Sequence, residues 1–169
     1  RVGAGLAEEA GAEVTLIDLR DFPLPLYDGD FESAQGIPPK AMELKALFLK
    51  HHGLLISTPE YNSSITGVLK NSIDWVSRSA PGEESLACFK EKYAGLLSAS
   101  PGSLGGLRSL VHFRGLLQNI GVHVVPHQFA LSRAHEAFDE NGKLKDAKQE
   151  ASVRKVVDRL THILRKVQL

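Results

Sequence analysis

The chain has 169 residues, with 20 lysines and arginines against 20 aspartates and glutamates and 43% apolar residues. That length suits one domain with a substantial core, and a formal net charge of zero offers neither the basic stripe of a nucleic-acid binder nor the excess of one charge typical of disorder. The single cysteine, Cys88, excludes an intramolecular disulfide, and no apolar run reaches membrane-spanning length. A cytoplasmic protein with no nucleic-acid or membrane partner is therefore expected.

Residues 1–11 read as the later part of a helix ending at Gly11. Neither a cap nor a strand stands ahead of it, so the chain is expected to lack its start. Residues 13–19 (EVTLIDL) follow that glycine and are rich in β-branched side chains, which predicts a strand. Asp18 at its end would suit a ribose hydroxyl in a dinucleotide fold, but no GxGxxG precedes it. Residues 22–27 (FPLPLY) form an extended, proline-pinned segment, and residues 28–38 a loop, mobile by composition. Pro38-Pro39 opens a helix that carries Met42, Leu44, Leu47, Phe48 and Leu49 up to His51-His52. The paired histidines have no further ligands in register and suit a helix C-terminus.

Gly53-Leu54-Leu55-Ile56-Ser57 is an apolar run without polar alternation and reads as a strand buried on both faces. The stretch after it, TPEYNSSITGVLKNSIDW (58–75), is a polar loop that becomes a helix. Leu69, Ile73 and Val76 recur there at helical spacing, with Val68 and Trp75 flanking the same side. In an open α/β sheet, ligands sit beyond the carboxyl ends of the strands, where this loop must lie. Pro59 fixes one φ and removes one donor, while Gly67 lets the backbone approach closely. An ordinary strand-to-helix connection with a core tryptophan is the plain alternative.

Residues 78–91 form a charged loop with a turn at Pro81-Gly82, and Cys88 within it has no metal-ligand spacing around it. Residues 93–100 (YAGLLSAS) are the next buried strand, running into PGSLGGLR (101–108), a second small-residue loop that opens a helix. Small residues let backbone N–H groups face a ligand, and a helix N-terminus adds positive partial charge. Leu107, Leu110, Val111, Arg114, Leu117 and Ile120 trace that helix to Gly121, with His112 on its outer side. Residues 122–126 form a further strand, which 128–131 continue raggedly. His123 and His127 have the chemistry of general acids but read more simply as strand or edge residues. After a turn at 139–142, a helix starting near Asp146 carries the stripe Val153, Val156, Val157, Leu160, Ile163, Leu164 and Val167, which covers one sheet face. Strands alternating with helices select a doubly wound parallel α/β sheet, with residues 1–169 as a single domain. No nucleophile–base pair and no metal-ligand cluster emerges, so no catalytic residue and no metal is assigned.

The words P-E-Y-N at 59–62, G-V-L-K-N-S-I-D-W at 67–75 and S-x-G-x-x-G-G-x-R at 100–108 resemble the NAD(P)H-dependent FMN reductase family of the flavodoxin-like fold. That family includes flavin, quinone, azo-dye and chromate reductases. Thr66 stands where the family usually carries proline, and a threonine there still caps a helix. The resemblance implies a sheet of order 2-1-3-4-5. Its first strand and a serine- and arginine-rich phosphate loop would precede Arg1, roughly two to three dozen residues for a strand-loop-helix unit. It implies hydride transfer from NAD(P)H to FMN, then electrons to a quinone, free flavin, azo or metal-oxyanion acceptor, with the chemistry mostly the flavin's. Pro59, Glu60, Tyr61 and Asn62 would contact the isoalloxazine, chiefly through backbone groups, and Ser100, Gly102, Gly105 and Gly106 would form the opposite wall. A homodimer or homotetramer using residues 69–78 is expected, and weak or absent FMN binding in a chain that starts at Arg1. The alternatives are a non-enzymatic flavodoxin-like scaffold and a one-electron flavodoxin-type carrier; carriers of that type are usually acidic, unlike this chain.

Overall fold

The computed structural model describes residues 1–167. Three parallel strands, β1 (Gly53–Thr58), β2 (Tyr93–Ala99) and β3 (His123–Leu131), lie side by side in chain order. Helix α4 (Gly67–Val76) connects the first pair and α5 (Leu107–Asn119) the second. The registers Thr58↔Ser98 and Ala99↔Leu131 bring the carboxyl ends of all three strands to one edge.

Helices cover both faces, as a doubly wound sheet requires. On one face α1 (Val2–Glu9) and, after the single turn α6 (Ala134–Ala137), the long α7 (Ala147–Val167) enclose a cluster around Leu6, Leu97, Val125, Val153, Val156, Val157 and Leu160. On the other face α3 (Pro39–Lys50), α4 and α5 enclose Leu44, Ile73, Val76, Phe89, Leu96, Leu110, Phe113 and Leu117. Each aliphatic side chain removed from water in this way contributes about 1.5–3 kcal/mol before the cost of ordering it.

Several expectations are corrected. Residues 13–18 are extended but pair with no strand among the described residues, and Leu19–Asp21 turn into a 3₁₀ segment. A strand is defined by its neighbour's hydrogen bonds, and here a groove of about 1240 Å³ separates Val14, Leu16 and Ile17 from β1. For the same reason β1 is only half-buried: Leu54, Leu55 and Ile56 border that groove, whereas the middle of β2 is fully buried. The stretch 28–38 is not all loop. Asp28 accepts from the amides of Asp30 (2.7 Å) and Phe31 (3.2 Å) and so caps a short helix, α2 (Gly29–Gln35). The ragged end of β3 is a bulge within one nine-residue strand, because Ala94 pairs with Val124 but Leu96 with Gln128. Arg114 holds the bulge by donating to the carbonyls of Val124 (3.2 Å) and Val125 (3.0 Å) and to Gln128 Oε1. On α5 the buried stripe is Leu110, Phe113 and Leu117, while Leu107 and Val111 face outward. On α4, Val68 is exposed and Trp75 fully buried, so the two do not share a side.

A proline-pinned strap crosses the outer side of α4. Asn71 Oδ1 accepts from Tyr27 N (2.8 Å), and Asn71 Nδ2 and Trp75 Nε1 both donate to Pro25 O (2.9 and 2.8 Å). The rings of Tyr27 and Phe31 pack edge-on against Trp75, at 5.0 and 5.9 Å. At the far end of α4, the buried Lys45 ammonium donates to the carbonyls of Val76 (3.2 Å) and Arg78 (2.6 Å) and pairs with Glu83 (2.9 Å). It thereby satisfies carbonyls that the helix end leaves open.

Candidate functional site

Two loops leave the carboxyl edge of the sheet side by side. The first, after β1, is residues 59–66; the second, after β2, is residues 100–106. In the first, Tyr61 and Ser64 exchange both backbone hydrogen bonds at 3.0 Å, which folds the intervening pair into a tight turn. Asn62 and Ser63 take left-handed φ values of 50° and 65°. Such conformations in residues other than glycine cost on the order of 1–3 kcal/mol each and concentrate at functional loops. Thr66 closes this loop by accepting from Leu69 N (3.2 Å), so it caps α4 as expected.

The second loop is pressed onto the strand ends. A Cβ on Gly105 would lie 2.6 Å from the backbone of Leu131 and Ser132, and one on Gly106 would lie 2.8 Å from Ser98 Cβ. Both glycines have positive φ, 62° and 91°. Ser98 Oγ donates to Gly105 O (2.8 Å), and Ser100 Oγ accepts from Gly102 N (3.2 Å). The glycines therefore serve the protein's own close approach of loop to sheet.

The loops meet through Glu60. Its Oε1 accepts from Arg108 Nε (2.8 Å) and forms an ion pair with Nη2 (2.5 Å), and its Oε2 accepts from the backbone amides of Arg108 (3.1 Å) and Ser109 (3.3 Å). The Glu60 side chain is 8% exposed. Burial pushes its carboxyl up, but the guanidinium and the two helix amides outweigh that and hold it below the usual carboxylate range. The N-terminus of α5, expected to face a ligand, is thus occupied by this carboxylate.

Around that bridge Glu60, Ser100, Gly102, Gly105 and Gly106 line one cavity of about 160 Å³, together with Ser103, Leu104 and Arg108. Pro59 lines the larger groove beside β1 instead. Tyr61 and Asn62 are exposed, Tyr61 at 64%, and line neither cavity. The amides of Asn62, Ser63, Ser103 and Leu104 find no acceptor among the described residues. Those of Ser103 and Leu104 belong to the cavity lining, and such donors suit a planar heterocycle whose edge is mainly carbonyl oxygens and ring nitrogens, as the pyrimidine edge of a flavin is. Arg108 carried no assignment from the sequence; the signal was its place at the end of the S-x-G-x-x-G-G-x-R wording, but the contact spans 48 residues of chain.

The histidines lie elsewhere. His123 opens β3 at the opposite edge, stacked on Tyr93 at 4.9 Å, and His127 sits in the bulge. His51 closes α3 and donates through Nδ1 to Leu47 O at 2.8 Å. Cys88 is fully buried, and burial pushes its thiol up, which makes it a packing residue.

Comparison with known proteins points the same way. The family model described as NADPH-dependent FMN reductase matches residues 1–136. The chain is similar to an NAD(P)H-dependent FMN reductase of Pseudomonas aeruginosa, 39% identical over 139 residues, 82% of this chain and 71% of that protein. It is also similar to an NAD(P)H:quinone oxidoreductase of Solanum tuberosum, 32% identical over 87% of this chain and 73% of that protein. Among solved structures, the flavoenzyme NAD(P)H:(acceptor) oxidoreductase FerB of Paracoccus denitrificans superposes with a TM-score of 0.80 at 28% identity, over 98% of this chain and 86% of that one.

Proposed function

This chain belongs to the NADPH-dependent FMN reductase family, and from that premise we propose that the cleft between residues 59–62 and 100–106 holds the flavin ring. The protein is an oxidoreductase that uses FMN and NAD(P)H. Held at this cleft by residues 59–62 and 100–106, FMN would supply the redox chemistry between NAD(P)H and a small-molecule acceptor.

The chain's own part is to bind and orient. The observation that carries the reading is the convergence of two strand-to-helix loops at one sheet edge, joined by Glu60 and Arg108 and presenting unused amides. Backbone amides at 62–63 and 103–104 would hold the ring edge, and the exposed Tyr61 would close over the rim. Gly102 leaves room on the other side, since a Cβ there would meet nothing closer than Ser100 Oγ at 3.7 Å.

Three finer points belong to the same proposal. The acceptor is read as a quinone, on the strength of the potato relative. A homodimer or homotetramer is supported by Val68, Leu104, Leu107 and Val111, apolar side chains 42–60% exposed on α4, α5 and the second loop. A cytoplasmic location is supported by the buried, unbridged Cys88, and no described helix is long and apolar enough to cross a membrane.

A flavin-fluorescence titration with FMN, followed by NADPH oxidation with a quinone, tests the reading. Quenched fluorescence and quinone-dependent turnover support it. Failure to bind FMN overturns it.

A further inference from the structure

A carboxylate has about four lone-pair positions with which to accept hydrogen bonds. In Glu60 three are taken by hydrogen bonds from the protein itself, from Arg108 Nε on one oxygen and from the amides of Arg108 and Ser109 on the other, and Arg108 Nη2 lies against the first oxygen at 2.5 Å as an ion pair. The side chain is over nine-tenths buried, so its carboxylate is largely spent within the protein. The N-cap of α5, Gly106, is left-handed and supplies no side-chain cap of its own. Its missing Cβ would stand 3.6 Å from Glu60 Cβ, so the two loops are packed backbone to side chain at this point.

We infer that Glu60 is a positioning residue: a latch that ties the loop after β1 to the start of α5 and so sets the width of the cleft, its carboxylate spent on Arg108 and the α5 amides. The inference rests on the reading that the cleft holds FMN and replaces the expectation that Glu60 is itself a contact of the ring. It also separates this pair from an ordinary surface ion pair, which is worth little. Two of the three hydrogen bonds come from a helix N-terminus, where a negative charge is favoured and a positive one is not. A preformed cleft binds a rigid planar ligand more tightly because less ordering remains to be done on binding.

The test uses hydrogen exchange on the flavin-free chain, FMN titration, and the variants Glu60→Gln and the charge reversal Glu60→Arg with Arg108→Glu. Glu60→Gln replaces one acceptor by a donor that faces amides and guanidinium. The amides of residues 60–64 are expected to exchange about tenfold faster or more, while those of β2 are unchanged. FMN affinity is expected to fall by a similar factor, with a lowered melting temperature but a still cooperative unfolding transition in the flavin-free chain. The charge reversal restores neither readout, because Arg at position 60 cannot accept from the α5 amides. Unchanged exchange at 60–64, faster exchange across the whole sheet, unchanged FMN affinity, or rescue by the charge reversal each overturns the latch. If the unsubstituted protein binds no FMN in any form, the reading of the cleft falls, and the exchange measurement still decides whether the latch exists.

Discussion

Carboxylates in this chain repeatedly bind backbone amides, and each such contact favours the ionised form. Glu83 accepts from Ala80 N, the larger cause, and from Lys45, and lies below the usual carboxylate range. Glu32 is lowered by Arg78 against its own desolvation, with a smaller contribution from Tyr27. Glu60 follows the same rule at the cleft. A carboxyl with a depressed folded-state value contributes stability above its unfolded value and loses it as the pH falls through the folded one. The melting temperature is therefore expected to be flat near neutrality and to fall steadily below about pH 4.5. Glu83→Gln should flatten that acid limb; an unchanged slope would show that Glu83 does not contribute to it. Gly106→Ala adds a Cβ that lies 2.8 Å from Ser98 and forces a side chain onto φ 91°. A loss of about 1–3 kcal/mol in urea unfolding is expected.

At the level of elements, the helix α4 is fixed from both ends by groups far away in sequence. Lys45 satisfies its last carbonyls, and Asn71 and Trp75 fasten the strap of residues 22–27 along it. The family-like word GVLKNSIDW is thereby explained largely by packing: its Asn and Trp bind Pro25 and Tyr27, not the cleft. Trp75→Phe keeps most of the volume but leaves the indole's bond to Pro25 O unmade, and is expected to cost about 1–3 kcal/mol, read by chemical denaturation. Asn71→Ala should release the strap, seen as faster exchange at Tyr27 with FMN affinity unchanged. A loss of affinity in Asn71→Ala would place the strap at the site after all.

Considered whole, the sheet is enclosed unevenly. β2 is paired on both sides, whereas among the described residues β1 is paired with β2 alone and borders the groove of about 1240 Å³. Local opening follows the number of buried contacts, so amides of β1 are expected to exchange markedly faster than those of β2 in this chain. Equal protection would mean that something else fills the groove. The outward apolar residues of α5 give the other whole-molecule prediction. Val111→Lys, at a position 60% exposed, is expected to shift the protein toward monomer in light scattering without lowering the monomer's stability.

The sequence by itself determined the parallel α/β class, the two strand-to-helix loops, the cap at Thr66 and the amphipathic last helix. Each is encoded locally: an apolar run, a glycine, a threonine three residues before an amide, a stripe at i, i+3, i+4 and i+7. Only the tertiary structure decided that residues 13–18 stand extended without becoming a strand, since strand formation needs a neighbour that local sequence cannot supply. It also decided that Glu60 is spent on Arg108 and the α5 amides, and that Trp75 anchors a strap. Those contacts close over 48 and 50 residues of chain, so their partners are chosen by packing of the whole fold and leave no periodic trace in the sequence.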